Sequence, residues 1–331
     1  MALHAWSSAR YAIPLPEGHR FPIAKYALLR DAVLAEGVVR LQELHEPARV
    51  ARADLLRVHT ADYVARVDGG ALTPAEVRRL GLPWSPHLVE RSYHSTGGTC
   101  EAAEAALALG VAMNLAGGTH HAFAGHGEGF CVFNDVAVAI RRLQALGRIA
   151  RAAVVDLDVH QGNGTHAIFA DDPTVLTFSM HGARNYPYAL SRRDGAATAA
   201  PGAPGDRHAP DERVNGGYGG RVDAHVDVAL PDGTSDGAYL DVLRAHLPGV
   251  LAAARPDLVV YLAGADPHEG DRLGRMRLTH DGLARRDAYV LATCREVGLP
   301  VVVTIAGGYG RDLRDTVRAH VNTARVAAAF A

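Results

Sequence analysis

Four short β-branched runs punctuate the chain: Ala152–Asp158 (AAVVDLD), Thr174–His181 (TVLTFSMH), Leu258–Asp266 (LVVYLAGAD) and Pro300–Gly308 (PVVVTIAGG). Each is almost continuously apolar and stops at polar or glycine residues, the pattern of parallel strands buried on both faces. Segments of helix length lie between and around them, at Ser95–Leu115, Asn134–Leu146, Asp236–Ala254 and Thr279–Val297, with Asn134 or Asp135 placed to cap the second. Alternating strand and helix predicts one α/β domain over residues 1–331, with a central parallel sheet flanked by helices on both faces. In such sheets ligands collect beyond the carboxyl ends of the strands. No internal repeat and no linker between two cores is visible. The stretch 194–220 (DGAATAAPGAPGDRHAPDERVNGGYGG) is too poor in large apolar groups to order itself, and is expected to be a long surface loop.

Composition narrows the function classes. With 331 residues, 48% of them hydrophobic and 21% charged, the chain has ample material for a large core. Thirty-four basic residues against 36 acidic ones leave a formal net charge of −2, without a basic block, which argues against direct nucleic-acid or membrane-surface binding. No apolar run approaches the ~18 residues that cross a bilayer. Met1 to Arg10 lacks the cationic-then-apolar order of a signal peptide, so the cytoplasm is the expected location. Cys100, Cys131 and Cys294 are few and widely spaced, predicting neither a disulfide framework nor a thiolate metal site. Lys25 is the only lysine.

The chemistry gathers at the predicted strand ends. In extended backbone, residues two apart share a face, so Asp156, Asp158 and His160 are expected to project together while Leu157 and Val159 enter the core. Burying two carboxylates unpaired is costly, and a divalent cation would offset that cost. Asp266, ending the run at Leu258, supplies a third ligand, and Asp158, His160 and Asp266 together make an N/O site with an open position. That arrangement belongs to catalytic zinc, although ferrous iron or cobalt suits it too. His120 and His121 stand side by side in a glycine-rich turn, where adjacent imidazoles suppress each other's protonation and leave one a neutral base. Tyr309, in Gly307-Gly308-Tyr309-Gly310, places a phenol where Gly308 lets the backbone approach a ligand, suited to donate to a developing oxyanion.

Taken in order, GGTHHA, GFCVFND, VVDLDVHQGNGT, FSMHG, LAGADP and AGGYG resemble the zinc-dependent histone deacetylase family, which includes acetylpolyamine amidohydrolases and acetoin-utilisation proteins. The matches run from Pro14 to about Tyr309, and PLPEGHRFPIAKY, GLPWS and DPHEGDRLG are most similar to the bacterial branch related to class IV enzymes. The resemblance implies an arginase-like α/β fold. It makes Asp158, His160 and Asp266 the zinc ligands, Tyr309 the phenol that polarises the amide carbonyl, His121 the general base and His120 an electrostatic aid bonded to Asp156. It further implies a structural potassium ion at Asp156 and Ser179 with backbone oxygens of Asp158, His160 and Met180, and a second around Phe169, Asp172 and Val175. Phe130 and Tyr186 would wall an acyl-lysine tunnel, the Gly129 carbonyl would accept from the substrate amide, and Lys25 would line an internal acetate-release channel.

Two departures stand out. Asn163 occupies the place of an aspartate found in many members, so His121 is oriented by a neutral amide. The 194–220 stretch is an insertion at the expected tunnel rim. The implied activity is hydrolysis of acyl-lysine in proteins or peptides, by a monomer or small homo-oligomer. Hydrolysis of small acylated amines such as acetylpolyamines is the alternative. A non-enzymatic acyl-lysine binder is disfavoured because every zinc ligand and the tyrosine are present, and an arginase-like dimetal hydrolase because it needs further aspartates.

Overall fold

A computed structural model describes residues 2–187 and 225–331; the expected rim insertion at 194–220 lies outside them. Eight parallel strands are formed by β1 (His4–Trp6), β2 (Leu44–His45), β3 (Val111–Asn114), β4 (Ala152–Asp156), β5 (Val175–Gly182), β6 (His225–Leu230), β7 (Leu258–Leu262) and β8 (Val301–Thr304). They make one sheet in the order β2-β1-β3-β8-β7-β4-β5-β6. The helices are α1 (Lys25–Ala35), α2 (Arg52–Leu55), α3 (Ala61–Asp68), α4 (Pro74–Leu80), α5 (Pro86–Leu109), α6 (Asp135–Ala145), α7 (Asn163–Phe169), α8 (Asp236–Ala254), α9 (His280–Glu296) and α10 (Leu313–Phe330). No helix among the described residues is long and apolar enough to cross a membrane.

Every residue of β3, β4, β5, β7 and β8 is buried, as uninterrupted apolar runs require. The expected helix at Ser95–Leu115 is corrected. Ser85 accepts from the Leu88 amide and Pro86 takes the first turn, so α5 starts nine residues earlier. It ends at Leu109, where Gly110 takes φ 84° and releases Val111–Asn114 into the sheet. A four-residue apolar run gives no periodicity that separates it from a buried helix end. The expected helix at Asp236–Ala254 has those bounds, and Asn134 and Thr279 cap α6 and α9 through their side chains.

Three of the four expected strands stop short of the carboxyl ends of their apolar runs. β4 stops at Asp156, β7 at Leu262 and β8 at Thr304, so the polar residues that follow lie in loops. Because β3, β8, β7 and β4 are adjacent at the centre of the sheet, those four loops meet at one place.

Candidate active site

The segment after β4 does not continue as extended backbone, which corrects the expectation that Asp156, Asp158 and His160 share a strand face. Asp156 Oδ1 accepts from the Asp158 amide at 3.2 Å, and Asp158 Oδ1 from the His160 amide at 2.9 Å. Each aspartate thus turns the chain by bonding the amide two residues on. Asp156 is left one layer behind, with Oδ2 2.6 Å from His120 Nδ1. Asp158 and His160 swing toward the loop after β7, where their ligand atoms and those of Asp266 all lie within 4.8 Å of one another.

This trio fits a cation. His160 Nδ1 lies 2.9 Å from Asp158 Oδ1 and 3.1 Å from Asp266 Oδ2, yet one ring hydrogen can serve only the first, and Asp266 Oδ2 has no hydrogen-bond partner although buried. Burial, reinforced by the charge on Asp158, raises the Asp266 carboxyl to about 7. The outer oxygens are tied to backbone: Asp266 Oδ1 accepts from the Val159 amide at 2.9 Å and Asp158 Oδ2 from the Gly307 amide at 2.7 Å. A Cβ on Gly307 would intrude on both carboxylates, so only glycine leaves the cradle open. Two oxygens and a ring nitrogen suit zinc, ferrous iron or cobalt.

His120 and His121 stand with ring centroids 4.1 Å apart. Asp135, opening α6, holds their turn by accepting from the amides of Gly118 (3.0 Å) and Thr119 (2.7 Å). Burial pulls the His120 pKa down, but the charges of Asp156 and Asp158 outweigh it and raise it to about 9. His121 moves the other way, well below its ordinary value, through burial and then the positive charge of His120. The pair is therefore split at neutral pH into one charged and one neutral imidazole. His121 Nδ1 lies 2.7 Å from Asn163 Oδ1, the first residue of α7.

Tyr309 follows β8. Asp271 Oδ2 accepts from its amide at 2.6 Å, and burial, with the charges of Asp158 and Asp266, keeps its phenol pKa well above the ordinary value. Gly129 and Phe130 take positive φ of 55° and 67°, which for phenylalanine is a strained conformation. That strain aims the Phe130 ring at Tyr309, with centroids 5.8 Å apart. His120, His121, Gly129, Phe130, Asp158 and Tyr309 all line one cavity of about 690 Å³ including its mouth. Tyr186 stands edge-on to His121 at 4.9 Å. Gly308, with φ 145°, packs against Thr316 and His320.

The remaining candidates divide. Asp156 and Ser179 are register partners across β4 and β5, beside Met180. Asp172 is taken up by Arg141 Nη1 at 2.5 Å, whose guanidinium also lies over the Phe169 ring. Lys25 does not line the cavity; its Nζ donates to the carbonyls of Ala306 (3.2 Å) and Gly308 (3.4 Å), bracing the Tyr309 loop. Arg91, from α5 and stacked 3.9 Å over Tyr26, is the arginine on the cavity wall. Sequence reading also missed Glu128, which bonds both Asn163 and Tyr186. It missed Arg286 too, fully buried behind the metal cradle, with Nη1 donating to the carbonyls of Leu157 (3.2 Å) and Gly264 (2.7 Å).

Comparison with known proteins identifies the family. Residues 19–324 match the histone deacetylase domain. An uncharacterised protein of Picosynechococcus sp. is 44% identical over 310 residues, covering 94% of this chain and 93% of its own. A histone deacetylase-like amidohydrolase of Pseudomonas aeruginosa is 31% identical over 303 residues, covering 89% and 74%. Among solved structures, a histone deacetylase homologue from Aquifex aeolicus superposes with a TM-score of 0.82 at 24% identity, covering 99% of this chain and 84% of its own.

Proposed function

Because the chain belongs to the histone deacetylase family and is a hydrolase of that family, we propose that it removes acyl groups from the side-chain amine of acyl-lysine in proteins or peptides. The observation that carries this reading is one cavity lined by a neutral imidazole, a protonated phenol and Asp158, the member of the buried Asp-His-Asp group that reaches it.

Asp158, His160 and Asp266 would hold zinc, with ferrous iron or cobalt as substitutes. Such a cation supplies Lewis acidity toward the acyl carbonyl and acidifies water. The protein's own groups do the rest. His121, neutral and oriented through Nδ1 by Asn163, takes the proton of the attacking water at Nε2 and later delivers it to the departing amine. His120, held charged by Asp156, adds positive potential beside the developing oxyanion. The Tyr309 hydroxyl donates to that oxyanion, and burial keeps its proton on at working pH. Phe130 and Tyr186 wall the acyl-lysine stem, the Gly129 carbonyl accepts from the scissile amide N–H, and Gly308, where a side chain would meet Thr316 and His320, sets the turn that presents Tyr309. A potassium ion at Asp156 and Ser179, with backbone oxygens of Asp158, His160 and Met180, would screen the carboxylates from behind.

The test is turnover of acetyl-lysine and longer acyl-lysine peptides beside acetylspermidine, with and without a chelator. Acyl-lysine hydrolysis that the chelator abolishes and zinc restores is expected. Turnover confined to acetylspermidine would move the substrate to small amines, and hydrolysis indifferent to chelation would overturn the metal reading.

A further inference from the structure

The base His121 is oriented by an amide, and an amide can face either way. With Oδ1 toward the ring, Asn163 accepts from Nδ1–H and leaves Nε2 free as a base. Turned over, it donates to Nδ1, the proton moves to Nε2, and the base is lost. Nothing in Asn163 itself chooses between the two.

Behind it, Asn163 Nδ2 donates to Glu128 Oε1 at 2.8 Å, and the Tyr186 hydroxyl donates to the same oxygen at 2.7 Å. His126 Nε2 lies 3.5 Å from Glu128 Oε2. Burial works against the Glu128 charge, yet these three neighbours together hold its pKa below the ordinary value. Its side chain is 13% exposed, while Asn163 and His121 are almost fully buried, so no bulk water competes for the amide. An ionised carboxylate has acceptors only. It must therefore receive Nδ2–H, which forces Oδ1 toward His121.

We propose that Glu128 is a positioning residue that fixes the Asn163 amide and through it the Nδ1–H form of His121, standing in from one layer further out for an aspartate at 163. This rests on the reading of His121 as the general base. The same carboxylate holds Tyr186, which stands edge-on to the His121 ring, so one group sets both the proton position and the wall beside it.

The experiment pairs Glu128→Met with Asn163→Asp in the metal-loaded enzyme. Removing the carboxylate frees the amide, and kcat is expected to fall about 10–100-fold, the usual cost of losing an outer orienting partner, with KM little changed. Adding Asn163→Asp to Glu128→Met recovers most of that loss, because an aspartate needs nothing behind it to present an acceptor. ¹⁵N spectra of the imidazoles read the tautomer without turnover: Nδ1–H in the parent, a mixture in Glu128→Met, Nδ1–H again in the double variant. If Glu128→Met does not fold, Glu128→Gln keeps the shape while offering a donor as well as an acceptor, and is expected to show both tautomers. Unchanged tautomer and kcat in the single variant, or no rescue in the double, overturns the proposal. Absence of acyl-lysine turnover in the parent, with the tautomers behaving as stated, would instead refute the assigned reaction and leave the positioning role standing.

Discussion

Replacing Tyr309 with phenylalanine separates chemistry from architecture. The ring stays between Phe130, 5.8 Å away, and the Lys25 ammonium, 5.5 Å from its centroid. The backbone is held by Asp271 Oδ2 at 2.6 Å and by Arg272 Nε donating to its carbonyl at 3.0 Å. All these contacts survive in phenylalanine. The hydroxyl, by contrast, has no hydrogen-bond partner among the described residues, and Tyr309 borders the cavity. Its removal strands no buried partner, so stability should move by less than about 0.5 kcal/mol, as for substitutions outside the destabilising classes. What disappears is one donor to the oxyanion, a loss worth about 2.7–4 kcal/mol of barrier, or about 10²–10³ in kcat. The assay is steady-state hydrolysis of an acetyl-lysine peptide by zinc-loaded parent and Tyr309→Phe, with urea unfolding of both. A fall of that size in kcat at unchanged unfolding midpoint is the expected result. Turnover within a few-fold of the parent would remove the phenol from the reaction, and a matching loss of stability would make it a structural group.

Two further expectations concern folding. His59 Nδ1 lies 3.0 Å from the Phe123 carbonyl and Nε2 accepts from the Asn134 amide at 3.0 Å, so the buried ring is neutral, and burial lowers its pKa to about 4. Below pH 6.5 the unfolded chain binds a proton that the folded chain refuses, so stability falls as pH drops toward 4, by about 3 kcal/mol in total. His59→Gln, which preserves one donor and one acceptor, should flatten that part of the unfolding-versus-pH curve; an unchanged slope would refute the assignment. Arg286 neutralises the buried Asp287, to which Tyr261 and Thr323 also donate, each at 2.6 Å. Arg286→Met should therefore cost about 3–5 kcal/mol in urea unfolding, partly recovered by adding Asp287→Asn; a loss under about 1 kcal/mol would show the pair to be dispensable.

The fold class was legible because four strands, β4, β5, β7 and β8, are buried on both faces, which writes them as largely apolar runs, whereas β3 was read as the end of a helix. The edges were not. His4–Trp6 and Leu44–His45 are too short to carry a period, and α10 (Leu313–Phe330), whose buried face is mostly the small residues Thr316, Ala319, Thr323, Ala324 and Ala327, stood apart from the strand runs that drew the reading. The metal trio was legible for a different reason: Asp158, His160 and Asp266 follow strand ends, and adjacency of β4 and β7 brings those ends together whatever the details of the loops. The local geometry was misread because the period-two rule applies only while the ladder continues, and successive aspartates offer the chain a competing turn at each step.

Arg91 and Glu128 show where such reading stops. The resemblance places a cation, Lys25, at an internal channel and gives no sign of Arg91. Arg91 reaches the cavity wall from α5, which starts nine residues before the expected Ser95; with the helix begun at Ser95, Arg91 belongs to a loop and has no direction. Glu128 lies beyond that kind of error. Its position beside Gly129 and Phe130 is plain in the sequence, but a carboxylate gains its meaning here from Asn163 at the start of α7, Tyr186 after β5 and His126 in its own loop. Asparagine at 163 looks like a weakened partner when weighed against an aspartate in isolation. Weighed with Glu128 behind it, the same amide becomes a relay whose direction is set by charge, so the apparent loss at one position is answered by a group 35 residues away along the chain.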